Sequence, residues 1–360
     1  MGSIPQNKAA YLDEPGAPLV VREAPMPKAG PGEIVVRNAA VAINPLDWHM
    51  QDNGMFVKQW PAVIGCDVAG VVYETGDGVD LFEVGDRVIG HAIHLWSGRP
   101  QDGAFQLYTV LSEDKAAQSL SSIPFTDGVV LPLALETAIC ALHFDRRNPL
   151  PDFLPGISTP ALALPYPSLR DTVKPSAGKI IVVNGGSSSV GSVTTQLAAA
   201  AGLYVISIVS HKNVVLAQLS GASHIFDRRQ PDLIGEVVAV VRKSGKEFIG
   251  IVDAISIPET ITRDLEILSY LDGGHLALTH PPMGKEVIPE NVEIGMVWSG
   301  GVNEITGPVW RAYVGAALKL GKLKCLPPRD IVGTGLEYID RALEKCKAGV
   351  SGTKVVVKLD

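Results

Sequence analysis

The sequence predicts an α/β protein that combines an irregular β domain with a doubly wound parallel-sheet domain. Its 360 residues are enough for two domains, because a typical domain takes about 150 residues. The first third of the chain carries short apolar runs between turn residues, whereas apolar strands and helical stretches alternate from Lys179 onward. A content of 46% hydrophobic and 19% charged residues is typical of a folded chain and excludes a disordered one.

Charge and cysteine content exclude several classes of function. The net charge is −7 and no five like charges are consecutive, which argues against binding to nucleic acid or an anionic membrane. The four cysteines form no CxxC pair and are too few for a disulfide scaffold, which indicates a reducing compartment. Because the N-terminus lacks an apolar signal segment, we expect a soluble cytoplasmic protein with no nucleic-acid or membrane partner.

The first 125 residues predict the β domain. Turn formers such as Pro31-Gly32 and Gly76-Asp77-Gly78 separate its apolar runs. We predict strands over residues 34–37, 68–73, 87–89 and 105–110.

The second half predicts a parallel sheet that helices cover on both faces. We predict strands over 179–184, 204–209, 224–227, 249–253 and 275–278, and helices over 190–201, 213–219, 232–243 and 258–271. The tail adds helices near 311–320 and 336–347, and a closing strand, 354–358, that we expect to return to the β domain.

Seven prolines lie between Arg146 and Ser176. A long proline-rich stretch in a compact protein is either a functional flap or a surface excursion, and the rarity of functional long loops favours the excursion.

The strongest functional signal is the turn after the strand 179–184, which reads Gly-Gly-Ser-Ser-Ser-Val-Gly over 185–191 and leads into a helix. A strand, a turn of small residues and a helix N-terminus aim backbone N–H groups at a pyrophosphate. The glycine fingerprint GxGxxG requires Gly186, Gly191 and a middle glycine, which Ser188 replaces. The four further strands favour a dinucleotide site over the alternative, a Gly/Ser-rich turn with no ligand.

The end of the second strand predicts which dinucleotide binds. An acid commonly stands there to bind the ribose 2′-hydroxyl, but this chain has Ser210-His211-Lys212-Asn213. Hydroxyl, amide and ammonium groups bond to a 2′-phosphate, so the sequence favours NADPH over NADH. Arg228 and Arg229 follow the third strand and would add positive charge, unless they and Lys212 are ordinary surface charges.

Several motifs together resemble the medium-chain dehydrogenase/reductase family, in particular its zinc-independent quinone oxidoreductases and the fungal trans-acting polyketide enoyl reductases. They are Asn44-Pro-Leu-Asp-Trp48, Ile64-Gly-Cys-Asp-Val-Ala-Gly70, Gly85-Asp-Arg-Val88, Leu131-Pro-Leu-Ala-Leu-Glu-Thr-Ala138, the turn 185–191, and Gly349-Val-Ser-Gly-Thr-Lys354. The resemblance implies a GroES-like β domain, residues 1–130 and 305–360, interrupted by a Rossmann domain, residues 131–304, with the active-site cleft between them.

Much of the wider family holds a catalytic zinc through Cys, His and a third thiolate. Here Asn44 and Asp47 occupy the segment where the resemblance would put the first cysteine, and Cys66 replaces the histidine. Residues 90–120 also lack the four cysteines of a structural-zinc lobe, so we predict no metal. Three other histidines have no partners at ligand spacing and are predicted to be core or surface residues: His91, His94 and His143.

Without a Lewis acid, conjugate reduction stays feasible, because the enolate that hydride addition creates needs only hydrogen-bond donors and a proton. The resemblance implies that the loop Leu46-Asp47-Trp48-His49 lies beside the nicotinamide, although the trans-acting reductases often carry a lysine where His49 stands. We predict His49, Asp47 and Thr137 as catalytic residues. A structural alternative stays open for each: orienting the cofactor for the histidine, an Asx turn for the aspartate and helix-start packing for the threonine.

Ligands of open α/β sheets bind outside the carboxyl ends of the strands, which adds the ends of the fourth and fifth strands to the predicted site. The resemblance adds Val350-Ser351, unless these form only a turn, and a substrate wall formed by Met296, Val297 and Trp298. The predicted cofactor contacts are Asn44, Leu46, Asp47, Trp48, Gly186, Ser187, Ser188, Ser189, Val190, Ser210, His211, Lys212, Asn213, Arg228, Asp253, Ala254, Ile255, Leu278, Val350 and Ser351.

These observations predict an NADPH-dependent, zinc-independent reductase of an activated C=C bond in an enoyl or enone group. A quinone oxidoreductase carries the same motifs, and a non-redox scaffold, either a cyclase or an NADPH-binding protein, stays open as a third reading. The substrate is a small molecule or is bound to a carrier, for example on a polyketide synthase. The sequence does not decide between a monomer and a homodimer.

Overall fold

The computed structural model describes residues 5–150, 157–282, 287–299 and 304–359. The chain divides into two compact units. The first unit comprises Met1–Leu133, Gly300–Gly321 and Pro328–Asp360, and the second comprises Ala134–Ser299 and Lys322–Pro327. These bounds lie within five residues of the predicted domain limits, except that Lys322–Pro327 belongs to the second unit.

The strands are β1 Asn7–Leu12, β2 Val20–Ala24, β3 Glu33–Ala42, β4 Ala62–Val63, β5 Asp67–Thr75, β6 Arg87–His91, β7 Tyr108–Ser112, β8 Ala116–Gln118, β9 Lys179–Asn184, β10 Tyr204–Val209, β11 His224–Asp227, β12 Glu247–Asp253, β13 Gly274–Leu278, β14 Val292–Met296, β15 Arg329–Thr334 and β16 Lys354–Lys358. The helices are α1 Pro45–Asn53, α2 His94–Ser97, α3 Phe125–Gly128, α4 Pro132–His143, α5 Ser189–Ala201, α6 Val214–Leu219, α7 Leu233–Ser244, α8 Pro258–Tyr270, α9 Thr306–Val309, α10 Gly315–Lys319 and α11 Ile339–Lys347. A π-helical turn, Trp310–Val314, joins α9 to α10.

The first unit contains two sheets. One has the order β2-β1-β4, and the other has the order β15-β16-β3-β5-β6-β8, with β7 also paired to β3. The closing strand β16 pairs with β3, which confirms its predicted return to the β domain. The predicted strand 105–110 begins only at Tyr108, because Gln106 forms an isolated bridge with Ala9 instead.

The second unit is a six-stranded sheet in the order β11-β10-β9-β12-β13-β14, and every neighbouring pair is parallel. This topology confirms the predicted doubly wound fold. Its strands are continuous apolar runs because helices pack on both faces, and Val182, Ile206 and Ile251 are buried in its core. The bounds of β9, β10 and β11 agree with the prediction, whereas the sixth strand, β14, was not predicted.

The proline-rich segment runs over the surface of the second unit, but it is anchored there. The Met296 N–H donates to the Ser158 carbonyl at 2.9 Å, and Arg147 donates to the Ile294 carbonyl at 2.7 Å. Leu162 and Leu164 are buried. The described part of the segment therefore covers the edge of β14, which would otherwise expose unpaired backbone groups. Residues 151–156 of the segment lie outside the described residues.

One described helical stretch, Phe125–His143, is long and apolar enough to cross a membrane by length and composition. Within its most apolar window, 78% of the stretch is buried inside the protein. Core helices of soluble proteins pass the same test, so the stretch is weak evidence for a membrane span.

Candidate functional site

The glycine-rich turn of the second unit links β9 to α5. Ser188 stands at the N-cap of α5, where its Oγ accepts a hydrogen bond from the Gly191 N–H at 3.0 Å. A serine at the middle position of the fingerprint therefore caps the helix. Because the first-turn N–H groups of a helix have no partners within the helix, this N-terminus offers donors and a partial positive charge to an anion.

Close packing explains the outer two glycines of the fingerprint. A Cβ on Gly186 would lie 1.8 Å from the Oγ of Ser207, and one on Gly191 would lie 2.2 Å from the Gly185 carbonyl oxygen. Gly185 itself has a φ of +73°, in the left-handed region that favours glycine. The turn therefore lies tightly against β10 and the start of α5. Gly185, Ser188 and Ser189 are partly exposed, and small residues at such a turn fit a pyrophosphate.

The residues after β10 lie beside this turn. Asn213 donates from Nδ2 to the Oγ of Ser187 at 3.1 Å, which connects the predicted specificity segment to the phosphate-binding turn. Lys212 and Arg228 are exposed, and neither side chain forms a hydrogen bond or ion pair with the described part of the chain. Two free cations at the ends of β10 and β11 fit the 2′-phosphate of an NADP-type dinucleotide.

Sequence reasoning missed one acid in this region. Asp227 ends β11, and its Oδ2 lies 3.7 Å from Nδ1 of the highly exposed His211. The Asp227 Oδ1 accepts the Arg229 N–H, so this carboxylate is partly engaged within its own turn. The position of Asp227 at the end of a strand was the signal available in the sequence.

The end of β12 is ordered by the carboxylate of Asp253. Its Oδ1 accepts the N–H groups of Ile255 and Ser256, each at 2.9 Å, and its Oδ2 accepts the Thr260 hydroxyl at 2.6 Å. Burial raises the pKa of Asp253, and these hydrogen bonds oppose the shift. The carboxylate therefore shapes the turn, which leaves Ile255, 41% exposed, as the accessible apolar side chain there. The intermediate residue, Ala254, is partly exposed.

The end of β13 differs from the prediction. Leu278 is fully buried, and its carbonyl oxygen accepts the Val297 N–H at 2.7 Å. The side chain of Leu278 therefore belongs to the core. Thr279, the next residue, is partly exposed, and its N–H donates to the Oγ of Ser256 at 2.8 Å, so it connects the ends of β12 and β13.

The predicted substrate wall is the end of a strand. Met296 is the last residue of β14 and Val297 follows it, and both are buried. Only Trp298 of the three is partly exposed. Within the same unit, the Thr137 Oγ1 lies 3.3 Å from the Ser299 Oγ, so two hydroxyl groups meet where α4 and the end of β14 come together.

In the first unit, the predicted loop around His49 is the helix α1. Asn44 is its N-cap, Pro45 is its first residue, and the Asp47 Oδ2 accepts the Asn44 N–H at 2.7 Å. Pro at the first helical position and an acid that reaches back to the cap are helix-start signals, so this segment forms a helix and not the predicted loop. Asp47 is fully buried, and its carboxylate holds the start of the helix as the acid of a capping box, not as an Asx turn.

The accessible side chains of α1 lie together. The rings of Trp48 and His49 have centroids 3.6 Å apart at 32°. Lys347, at the end of α11, places its ammonium 5.8 Å from the centroid of the Trp48 ring. Leu46, Trp48 and His49 are all partly exposed. Val350 and Ser351 lie in the turn between α11 and β16, and Val350 is 39% exposed.

Three further histidines are core residues. His91, His94 and His143 are all buried. Burial lowers the pKa of His91 to about 3 and the pKa values of His94 and His143 to about 4, so these rings are neutral near pH 7. Among residues 5–150, 157–282, 287–299 and 304–359, no three His, Cys, Asp or Glu side chains converge as a metal site.

Comparison with known proteins identifies the family. Residues 30–122 match the alcohol dehydrogenase GroES-like domain. The dehydrogenase orsE of Emericella nidulans is 57% identical over 353 residues, which cover 98% of this chain and 99% of that protein. The chain is a medium-chain dehydrogenase/reductase.

A further relative and a solved structure are also similar to this chain. The trans-enoyl reductase himH of Aspergillus japonicus is 37% identical over 331 residues, which cover 91% of this chain and 90% of that protein. The crystal structure of CurK enoyl reductase has the same fold, with a TM-score of 0.72 at 18% identity over 99% of this chain and 100% of that one. Membership of this family makes the protein an oxidoreductase with a nicotinamide cofactor.

Proposed function

We propose that this medium-chain dehydrogenase/reductase uses NADPH to reduce an activated C=C bond, enoyl or enone, without zinc. The observation that carries the proposal is the glycine-rich turn at Ser188, which Asn213 joins to the segment that carries Lys212. Neither Lys212 nor Arg228, whose N–H donates to the Val209 carbonyl at the end of β10, has a side-chain partner among the described residues. The trans-enoyl reductase himH, similar over nearly the whole chain, supports the choice of reaction.

The choice of NADPH rests on charge. The segment Ser210–Asn213 contains no acid, and the Lys212 ammonium and Arg228 guanidinium have no partners in the described residues. A 2′-phosphate would bond to these groups with charge-assisted hydrogen bonds, whereas a 2′-hydroxyl gains little from them. Asp227 is the one nearby acid identified above, and the Arg229 N–H and the His211 ring lie against its two oxygens.

The donor set in the first unit supports a reaction without zinc. Burial raises the pKa of the Cys66 thiol well above its usual range, which disfavours the thiolate that zinc requires. The neighbouring Asp67 is fully buried and already paired with the Lys354 ammonium at 2.9 Å. Neither side chain is therefore available as an anionic ligand.

When bound, NADPH would supply a hydride from nicotinamide C4 to the β-carbon of the alkene. His49 is then the proposed donor of the proton that the α-carbon needs, because imidazole is effective near neutral pH and its ring is partly exposed.

The hydroxyl pair of the second unit has a separate proposed role. The Thr137 and Ser299 Oγ atoms, 3.3 Å apart, form a pair of donors of the kind that stabilises a developing enolate oxygen.

The substrate class distinguishes an enoyl or enone reductase from a quinone oxidoreductase and from a non-redox scaffold. We propose an enoyl or enone substrate that is either a free small molecule or a thioester on a carrier, for example on a polyketide synthase. The protein is mixed with NADPH and, separately, with enones, enoyl-pantetheine thioesters and quinones, while the absorbance of the reduced nicotinamide is followed with and without a chelator.

We expect NADPH consumption with an enone or enoyl thioester that the chelator does not reduce. Consumption with quinones alone would identify a quinone oxidoreductase instead. Tight NADPH binding without consumption on any substrate would contradict the proposal and favour the non-redox scaffold. Inactivation by the chelator, with recovery on adding zinc, would contradict zinc independence.

A further inference from the structure

Three charged side chains are buried together in the first unit. Asp47 and Asp67 are fully buried and Lys354 is 4% exposed. They come from α1, β5 and β16, which are distant in sequence. Buried charges persist only where they are paired and hydrogen-bonded, so their arrangement needs a physical reason.

Lys354 compensates one of the two carboxylates. Its Nζ lies 2.9 Å from the Asp67 Oδ2 and also donates to the Asn44 Oδ1. Asn44 donates from Nδ2 to the same Asp67 oxygen at 2.8 Å. The other Asp67 oxygen accepts the Leu133 N–H, in the first turn of α4, at 2.6 Å. Ammonium, amide and carboxylate therefore form a closed triangle that includes the N-cap of α1.

Asp47 has no such compensation. Its Oδ2 accepts the Asn44 N–H at 2.7 Å, but its buried Oδ1 has no hydrogen-bond partner in the described part of the chain. Burial raises the pKa of Asp47 to about 7; the Asn44 N–H opposes this, the charge of Asp67 adds to it, and the charge of Lys354 and the Asn44 side chain lower it by less. One ammonium faces two carboxylates, so the cluster is neutral only while Asp47 holds a proton.

Within the described part of the chain, the surroundings of Asp47 supply no second cation. The titratable and charged groups that interact with it are Asp67 and Cys66 on and before β5, Lys354 on β16 and Cys346 on α11. Burial raises the pKa of both thiols, so both remain neutral near pH 7. The charge state of the cluster therefore depends on Asp47 alone.

We propose that Lys354 is a positioning residue of this reductase: its ammonium, acting through Asp67 and Asn44, fixes the start of α1 and with it the His49 ring. The proposal rests on the proposed function, in which His49 supplies a proton. Asn44 is the shared residue, because it belongs both to the buried triangle and to the N-terminal cap of the helix that carries His49.

The first test removes the charge of Lys354 at nearly constant shape. Lys354→Met leaves Asp67 buried and unpaired, so we expect kcat to fall about tenfold to a hundredfold, the range for a small misplacement of a reacting group. The dissociation constant for NADPH stays within about twofold, because its proposed phosphate contacts lie in the second unit. The double variant Lys354→Met/Asp67→Asn removes both charges and should recover most of the lost kcat. Lys354→Arg keeps the positive charge and should keep the wild-type kcat.

An unchanged kcat in folded Lys354→Met would overturn the proposal. If Lys354→Met does not fold, the comparison moves to the double variant, which must fold and turn over substrate. A double variant that is as inactive or as unfolded as the single variant also contradicts the pairing.

The second test needs no activity and so separates this proposal from the proposed function. The pKa of Asp47 is about 7 in the folded protein and 3.8 ordinarily. The proton on Asp47 therefore adds to the free energy of unfolding in full below pH 3.8, and this contribution is lost as the pH rises through 7. Asp47→Asn should remove this loss, so the difference in unfolding midpoint between the variant and the wild type grows in favour of Asn from pH 4 to pH 7. A pH-independent difference would show that the cluster does not hold the proton. If no substrate is turned over but this slope is found, the proposed function fails and the buried charge arrangement stands.

Discussion

The phosphate-binding turn of the second unit and the start of α1 in the first unit are built in opposite ways. The turn depends on consecutive residues, from Gly185 to Gly191, whose backbone geometry and cap are local. The start of α1 depends on Lys354 and Asp67, 310 and 23 positions away from Asn44. The cofactor half of such a protein is therefore readable from a short motif, whereas the half that positions His49 is set by long-range charge pairing.

We expect the largest change in kcat on replacing His49, the side chain that this charge pairing positions. His49→Phe removes the proposed proton donor and should lower kcat by about a hundredfold, the lower part of the range for general acid catalysis, while NADPH affinity stays nearly constant. Steady-state kinetics and a binding titration measure the two effects separately. The matched control is His275→Phe, since His275 lies near the amino end of β13 and is not one of the predicted site residues. An unchanged kcat in His49→Phe would point to solvent or the substrate as the proton donor.

A single added methyl group tests how tightly the turn between β9 and α5 is packed. In Gly191→Ala the new Cβ would lie 2.2 Å from the Gly185 carbonyl oxygen, so we expect a loss of about 1–3 kcal/mol in the free energy of unfolding. NADPH affinity should fall as well, because the turn and the start of α5 move apart. Gly315→Ala in α10 is the control, since its Cβ would meet nothing closer than 3.5 Å. Equal effects of the two substitutions on denaturant unfolding would contradict tight packing at the turn.

The smallest expected effect concerns the choice between the two dinucleotides. Lys212→Ala removes a charge-assisted bond to the 2′-phosphate and should weaken NADPH about tenfold, with little effect on NADH. Lys243→Ala, another exposed lysine in the same unit, should change neither affinity. Isothermal titration with both coenzymes measures the ratio. Equal weakening of the two would show that the 2′-phosphate binds elsewhere.

The same contrast explains what the sequence could predict. The bounds of β9, β10 and β11 and the turn between β9 and α5 follow from apolar runs and small residues that are adjacent in the chain. Of β14, only the last residue, Met296, was assigned, and that to a pocket wall by resemblance, because Glu293 and Gly295 interrupt the short run Val-Glu-Ile-Gly-Met. Its identity as a strand depends on β13 beside it.

The start of α1 shows where local signals mislead. Asn44-Pro45-Leu46-Asp47 reads as turn chemistry, yet the same residues form an N-cap, a first-turn proline and a capping acid. Asp67 and Lys354 are each the first residue of a strand whose next residues are apolar, a position at which a charged side chain does not by itself indicate burial. The sequence alone does not say that they are partners of each other, since strands β5 and β16 are separated by most of the chain.

Transfer of a deuteride tests the central claim most directly. The protein is incubated with NADPH deuterated at nicotinamide C4 and an enoyl-pantetheine thioester in the presence of a chelator, and the product is analysed by mass spectrometry and NMR. We predict one deuterium at the β-carbon of the saturated product, and faster transfer from NADPH than from equally deuterated NADH. Binding of the coenzyme without deuterium in any product, or transfer from NADH alone, would contradict the account.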